Sequence, residues 1–294
     1  MKKPKVVVLV GGPDAERNIS IASGTAITEA LKTNQSFCTT LELIDTPTVD
    51  DILALNADVI FPALHGPYGE GGPLQTILES ANVPFVGSGS IAAAKAMDKI
   101  ESKKIAIKLG IQTPNWNEIT SSVCPLQPPL VLKPIDDGSS VDIAICMNAQ
   151  EVENELPKLL RHRTELLAES YKKGREITVS VIHGEALPII EIIPSSGNYD
   201  FAAKYERNDT KYILDPQLPD QTCVSWAVEI AKEMNIRDLA RVDFILDNEG
   251  LWFLEVNTMP GFTDHSLLPM AASHAGLDMT DLCTKLIVTA TQDH

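Results

Sequence analysis

The chain has 294 residues, 44% of them hydrophobic, and a formal net charge of -16 at pH 7. That length supports more than one hydrophobic core and two or three domains, whereas the acidic balance argues against a nucleic-acid or anionic-membrane surface, since both require a basic patch. Five cysteines at irregular positions, without a C-x-x-C pair, point to neither a disulfide framework nor a zinc site. Reduced thiols in the cytoplasm are the simple expectation. The apolar run after the basic start is too short for a signal sequence, and no stretch could span a bilayer.

The β-branched run 6–10 ends in Gly11 and Gly12 and reads as a buried parallel strand entering a tight turn, with a helix from about Ser20. Residues 58–63 repeat the pattern, followed by the glycine-rich loop 64–73 and an amphipathic helix through Leu74, Ile77 and Leu78. Residues 83–86 close this unit near Gly87. Strand, glycine loop and helix used twice predict an open parallel, Rossmann-like α/β sheet, with ligands beyond the carboxyl ends of its strands. Asp98 is placed to cap a helix over 99–109 that Gly110 stops. A strand ending in Lys133, a polar loop over 136–140 and a strand through Cys146 come next. Further strands over 166–170, 176–182 and 187–193 predict a mixed or antiparallel sheet after the parallel one. Apolar periodicity is lost over 194–209, which predicts a surface loop long enough to act as a lid. Helices are expected over 222–234 and 266–275, and the units are expected at 1–87, 88–170 and 171–294.

The most informative stretch is 241–257. Asp243, Glu255 and Asn257 stand in two runs apolar enough to be buried strands, and 248–250 reads as a three-residue hairpin loop with Gly250 in a left-handed conformation. Asp243 then faces Glu255 and Arg241 faces Asn257. Two facing carboxylates need a cation, and oxygen ligands with an amide as third member suit Mg²⁺ or Mn²⁺ completed by substrate phosphates. A hairpin with one polar, half-exposed face fits the same periodicity, with Phe244, Leu246, Leu254 and Val256 filling the other face. Lys133 ends a strand of Val and Leu and is followed by a polar glycine loop, a combination suited to clamping a phosphate; Lys99 and Lys204 are further candidates. The turn 11–17 has neither a dinucleotide fingerprint nor a phosphate-loop ending, but Glu16 and Arg17 stand where a small zwitterion could be gripped. His65 either serves a ligand or braces its turn, and Ser266 either presents a hydroxyl to a carboxylate or simply caps a helix.

In this order, the stretches 11–17, 63–66, 97–99, 132–141, 199–205, 241–244 and 255–267 resemble the D-alanine-D-alanine ligases of the ATP-grasp superfamily. The resemblance implies an N-terminal α/β substrate domain followed by two α+β ATP-grasp subdomains. It also implies an ATP-dependent ligation of two D-alanines through an acyl phosphate, supplying the peptidoglycan dipeptide, in a cytoplasmic homodimer. Carried over by position, Glu16, Ser139 and Tyr205 form a network at the first D-alanine, with Glu16 on its ammonium. Lys99, Lys133 and Lys204 contact ATP phosphates, while Glu169 and Glu176 lie near adenine and ribose. Asp243, Glu255 and Asn257 hold two Mg²⁺ or Mn²⁺ ions. Arg241 and the Gly261 amide stabilise the oxyanion, Ser266 and Leu267 fix the second carboxylate, and His65 lies close to the substrates. The chain departs from the family at Asp14 for Ser, at Gly71 for Asp, and in the extra acids Asp136 and Asp137. Tyr205 matches the dipeptide-forming members, which favours D-alanine at both sites over D-lactate or D-serine as acceptor. A nucleotide-binding scaffold without turnover would leave the joint presence of Arg241, Asp243, Glu255 and Asn257 unexplained.

Overall fold

The computed structural model describes residues 3–138, 141–195 and 209–292. Strands β1 (Lys5–Gly11), β2 (Cys38–Ile44) and β3 (Val59–Pro62) form a parallel sheet in the order β2-β1-β3. Both faces of β1 are covered. Val6, Val8 and Val10 pack with Ile27 and Leu31 of helix α1 (Arg17–Thr33). Val7 and Leu9 pack with Ile52 of α2 (Val49–Ala54) and with Leu74 and Leu78 of α4 (Pro73–Ala81) on the other side. Two-sided burial is why this strand is an unbroken apolar run rather than an alternating one. Short α3 (Gly66–Glu70) follows β3 directly, so both glycine loops open at the carboxyl ends of the strands. Gly11 has φ +106, and a Cβ there would lie 2.4 Å from the Ile44 carbonyl oxygen, so the turn demands glycine. Residues 83–86, expected as a strand, provide only a parallel bridge between Ile60 and Phe85.

Helices α5 (Ser90–Met97) and α6 (Lys99–Lys108) lead into a second, antiparallel sheet of β4 (Trp116–Ile119), β5 (Leu130–Pro134), β6 (Ala144–Cys146) and β7 (Leu166–Ser170). Its order is β4-β7-β5-β6, and α7 (Ala149–Leu159) packs Val152, Leu156 and Leu159 against it. The third sheet is antiparallel in the order β11-β10-β8-β12-β13, with β9 on β8. It comprises β8 (Arg175–Ile182), β9 (Glu185–Ala186), β10 (Ile190–Ile193), β11 (Lys211–Leu214), β12 (Leu239–Leu246) and β13 (Leu251–Asn257). Helix α8 (Thr222–Glu233) covers one face, where Ala227 and Ile230 meet Val179, Val242, Phe244 and Phe253. After α9 (Leu267–His274), the last helix α10 (Met279–Ala290) returns to the first sheet, and its Leu282, Leu286 and Ile287 share a core with Val6 and Val8. The core of the N-terminal unit is therefore completed by the other end of the chain. No helix of the described residues is long and apolar enough to cross a membrane.

The hairpin of β12 and β13 has the expected facing pairs, Arg241 with Asn257 and Asp243 with Glu255, but reaches them by a different route. Its loop has four residues rather than three: Leu246 faces Leu251, and the Asp247 N–H donates to the Gly250 carbonyl at 3.0 Å. Asp247 Oδ1 accepts from the amides of Glu249 (2.8 Å) and Gly250 (3.0 Å) and from Trp252 Nε1 (2.9 Å), which fixes the turn. Gly250 has φ +147, a glycine conformation outside the left-handed helical region. A bulge between Asp243 and Phe244 restores the register, since Phe253 faces Phe244 while Glu255 still faces Asp243. The extra residue is Leu254, so Phe253 takes the core position that simple alternation assigns to Leu254. Leu254 lines the cleft described next.

Candidate active site

A cavity of about 600 Å³ separates the two antiparallel sheets, a volume suited to a small ligand. Val131, Lys133, Ile145 and Glu169 line one wall; Glu176, Ile177, Ile192, Asp243, Leu254 and Glu255 line the other. A smaller cavity beyond Glu255 touches Glu70, Lys99, Gly138 and Asn257. Cleft and N-terminal loops are thereby continuous. The expected lid over 194–209 leaves and rejoins the sheet edge beside the cleft, where Ile193 pairs with Lys211 and the Ser195 hydroxyl donates to the Asp209 carboxylate. Its residues 196–208, with Lys204 and Tyr205, lie outside the described residues, as does Ser139.

Lys99 and Lys133 are both nearly closed to solvent. Asp98 caps α6 through the amides of Ile100 (2.8 Å) and Glu101 (3.0 Å), which fixes Lys99 in the first turn. Its ammonium donates to the Asp137 carbonyl and lies 3.6 Å from Glu255 Oε2. Burial lowers the Lys99 pKa, and Glu255 opposes that shift. Lys133 Nζ lies 2.5 Å from Glu169 Oε2, while Lys103 donates to Glu169 Oε1. Burial pushes the Glu169 carboxyl up, but Lys103 and Lys133 together hold it below its ordinary value. Glu169, carried over as an adenine neighbour, lines the cleft and is also the shared anchor of two lysines.

The facing pairs of the hairpin place Asp243, Glu255 and Asn257 on the cleft side of β12 and β13. Arg241 grips Asp243 with two hydrogen bonds, Nε to Oδ1 at 3.0 Å and Nη2 to Oδ2 at 2.8 Å. The Thr178 hydroxyl (2.6 Å) and Asn257 Nδ2 (3.2 Å) also donate to Asp243. Among the described residues no group of three His, Cys, Asp or Glu side chains is placed to hold a metal. The set consists of two carboxylates and one amide oxygen, which fits a hard cation sharing its shell with water and phosphates rather than a closed protein cage.

Around the N-terminal loops the buried groups are of another kind. Glu16 is buried at the start of α1, and a Cβ on Gly138 would lie 3.7 Å from its Oε2, so it reaches the loop that follows Lys133. Arg17 turns away, donating to the Gly12 carbonyl (2.7 Å) and pairing with Asp45, so it does not join Glu16 in gripping a zwitterion. His65 Nδ1 lies 2.9 Å from the Met259 carbonyl, which can only accept, so Nδ1 carries the proton and Nε2 accepts from the Ser23 hydroxyl at 3.2 Å. Burial drives its pKa down to about 4, the Met259 bond opposing and Arg241 adding to the shift. Ser23 Oγ also accepts from the Phe262 amide at 3.1 Å, and is fully buried, so the Ser23–His65 pair braces the turn instead of forming a nucleophile. Gly261 has no room for a side chain, since a Cβ would meet Ser266 Oγ at 2.7 Å. Ser266 precedes α9 without capping it; its Oγ accepts from the Thr263 amide at 3.0 Å, and Leu267 is buried.

Several residues at the site were not assigned a role from sequence. Glu70 is buried and accepts from the amides of Gly66 (3.3 Å) and Met259 (3.1 Å). Burial, then the neighbouring Glu16 charge, raise its pKa to about 8 against those hydrogen bonds and Arg241. A lone glutamate in a glycine loop carries no periodic signal, and Ser23 sits on a helix face that reads as ordinary packing. Lys103 was legible in principle, being one turn beyond Lys99 on the same helix face. Two departures find structural partners: Asp14 Oδ2 accepts from the Tyr68 amide at 2.8 Å, and Asp137 pairs with Arg163 at 2.6 Å.

Residues 43–88 match the family profile of the D-ala D-ala ligase N-terminus, and residues 106–288 that of the D-ala D-ala ligase C-terminus. A D-alanine--D-alanine ligase from Aquifex aeolicus is 39% identical over 290 residues, covering 96% of this chain and 99% of that protein. One from Syntrophotalea carbinolica is 36% identical, covering 99% and 97%. The crystal structure of the D-alanine--D-alanine ligase from Bacillus anthracis complexed with ATP superposes with a TM-score of 0.84 at 31% identity, over 100% of this chain and 98% of that one. A D-Ala:D-Ser ligase from Enterococcus faecalis superposes equally well, at 0.84, with 27% identity over 98% and 100% of the two chains. Family profiles over most of its length, and relatives of this identity spanning nearly all of it, establish that the chain belongs to the D-alanine-D-alanine ligase family.

Proposed function

We propose that the protein joins two D-alanines into D-alanyl-D-alanine with consumption of ATP, providing the dipeptide of peptidoglycan precursors in the cytoplasm. One observation carries this reading. Asp243 and Glu255 stand in register on one wall of the cleft with Asn257 beside them at the adjoining cavity, while Lys133 lines the opposite wall and Lys99 Nζ lies 3.6 Å from Glu255 Oε2. Such a site can bind a polyphosphate between fixed ammonium groups and a divalent cation. Mg²⁺ or Mn²⁺, two ions in this reading, would be held by Asp243, Glu255 and Asn257 and would supply charge neutralisation at the transferring phosphoryl group.

The protein's own groups account for the rest. Glu16 takes the ammonium of the first D-alanine, beside Ser139 and Tyr205. Lys99, Lys133 and Lys204 orient the phosphates so that a carboxylate oxygen of the first D-alanine attacks the γ-phosphorus in line, breaking its bond to the β–γ bridging oxygen and releasing ADP, with Glu169 and Glu176 toward the nucleoside. The second D-alanine binds by its carboxylate at Ser266 and Leu267, near neutral His65; its uncharged amine attacks the acyl-phosphate carbonyl, and the tetrahedral intermediate breaks its C–O bond to expel inorganic phosphate as the amine loses a proton. Arg241 and the Gly261 amide stabilise the oxyanion. No protein nucleophile takes part. The N-terminal unit carries the amino-acid loops, two α+β units enclose the nucleotide, and the assembly is a homodimer.

Purified protein with Mg²⁺ and ATP is expected to release phosphate when D-alanine is added, and to yield a product with the mass of the dipeptide. An equal response to L-alanine, or phosphate release independent of any amino acid, would remove the reading. Product mass in mixtures with D-serine and D-lactate reports acceptor choice.

A further inference from the structure

Helix α6 carries a second buried lysine, one turn beyond Lys99, that the chemistry above does not use. Lys103 is fully closed to solvent, and burying an ammonium is unfavourable without compensation. Its Nζ donates to Glu169 Oε1 and, at 2.8 Å, to Thr113 Oγ1; the Thr113 hydroxyl in turn donates to the Phe253 carbonyl at 2.9 Å. Phe253 lies on β13, two residues before Glu255, while Glu169 lies on β7 of the opposite sheet. Lys103 therefore touches both walls of the cleft from behind. Glu169 gives its other oxygen to Lys133 at 2.5 Å, so one carboxylate is shared by two ammonium groups.

Sharing decides the charge that the cleft presents. Lys133 lines the cleft; Lys103 does not. Lys133 paired one-to-one with Glu169 would form a pair of no net charge, and both members line the cleft, so its attraction for a polyanion would be largely cancelled. With Lys103 behind Glu169 the group of three retains one positive charge. We infer that Lys103 is a positioning residue for nucleotide binding: by occupying one oxygen of Glu169 it leaves the Lys133 ammonium effective toward a phosphate. The inference rests on the assignment of Lys133 to ATP phosphates given above. Burial lowers the Lys103 pKa to about 8, with Glu169 opposing that shift and Lys133 adding to it. Its ammonium form is thus sustained by Glu169, as the sharing requires.

The test is calorimetric binding of ADP with Mg²⁺ to the full chain, for wild type, Lys103→Met, Glu169→Gln and the double variant. Lys103→Met should weaken ADP about tenfold or more by leaving Glu169 to cancel Lys133, while KM for D-alanine changes less than about threefold. Against a Glu169→Gln background, where there is no carboxylate left to cancel Lys133, the same Lys103→Met change should alter ADP affinity by less than about threefold relative to Glu169→Gln alone, so that whatever Glu169 gives the nucleoside is lost equally on both sides of the comparison. A lysine that merely staples the two walls predicts a similar loss in either background, since its bond to Thr113 is deleted in both. Unchanged ADP affinity in Lys103→Met, or a loss from Lys103→Met as large in the Glu169→Gln background as in wild type, overturns the inference. Should Lys103→Met not fold, Glu169→Gln and the double variant suffice: without Glu169 the lysine pair repels, Lys103 discharges, and deleting it should alter ADP affinity by less than about threefold. A tenfold loss at that step is the overturning result. Wild type that binds no ADP would instead refute the nucleotide assignment of Lys133.

Discussion

The two halves of the site bury ionisable groups in opposite ways. On the side proposed for the nucleotide, Lys99, Lys103, Lys133, Glu169 and Glu255 each lie beside a side chain of opposite charge type. On the side proposed for the amino acids, His65 and Glu70 are held neutral, their pKa values displaced to about 4 and about 8 and their polar atoms engaged by Ser23 and by backbone groups. The ligands explain the contrast. A nucleoside triphosphate brings several negative charges and is met by fixed positive ones, whereas an amino acid is a zwitterion with no net charge. A site for it gains from directed dipoles and loses by surplus charge.

The comparison breaks first at the carboxylates. Glu255→Gln is expected to lower kcat for phosphate release with D-alanine by two to three orders of magnitude, because a neutral amide is a poor partner for a divalent cation. Folding should survive, since one of two facing carboxylates is removed from the metal-free protein, leaving Asp243 with its Arg241 pair. Wild-type-like turnover would show that the charged half does not depend on this cation site.

The neutral half predicts a dependence of stability on pH. The folded His65 pKa, about 4, is below its unfolded value, so the unfolded chain binds more protons between about pH 4 and 6.5. Stability from this group is present above that window and is lost on acidification, by roughly 3 kcal/mol in all. Glu70 has the opposite sign. Its folded pKa, about 8, is above the unfolded value, so its contribution is present at low pH and is lost as pH rises from about 4.5 to 8. Urea midpoints against pH should show the acid loss reduced in His65→Gln and the alkaline loss reduced in Glu70→Gln. Parallel profiles for wild type and both variants would mean that these groups are not held neutral.

How much of this was legible follows from which forces act locally. Strands such as β1 and β7 were readable because burial on both faces imposes continuous apolar runs. β2 was not, since it is an edge strand whose Leu41 and Leu43 are exposed, and α10 was not, since its place is set by contacts with the first sheet almost a chain length away. At the site, Lys133, Asp243 and Glu255 stood out as charges in apolar surroundings, whereas Lys99, among charged neighbours, was only a further candidate. The facing pair was inferred from a three-residue loop, whereas the real loop has four and the bulge at Leu254 compensates. Ser23, Glu70 and Lys103 act through partners from other elements, and sequence spacing cannot display such partners.

Ser23 is the narrower test of the neutral half. Its hydroxyl receives the Phe262 amide and supplies His65 Nε2, so Ser23→Ala leaves two buried groups unpaired next to Gly261. The expected result is about a tenfold fall in kcat/KM for D-alanine with ADP affinity within about twofold of wild type. Weakened ADP binding of the same size would mean that the two halves are not separable.

The smallest effect is expected at the rim of the charged half. Arg163 lies 2.6 Å from Asp137 and 2.7 Å from Asp142, and so compensates one of the two acids that depart from the family pattern; Asp136 is exposed. Asp137 matters to the interior through its backbone, because its carbonyl accepts from Lys99. Arg163→Met would free the Asp137 carboxylate to repel phosphates and loosen the segment that carries this carbonyl. Both consequences are weakened by water, since Arg163 retains 24% exposure and partly exposed pairs contribute little. KM for ATP should rise about threefold at low salt, and the difference from wild type should shrink when ionic strength is raised, with kcat unchanged. Lys103→Met, acting from the dry interior, should keep its effect on nucleotide affinity under the same salt. If the two variants respond to salt alike, the charged half is not an interior protected from solvent, and its contrast with the neutral half loses its physical basis.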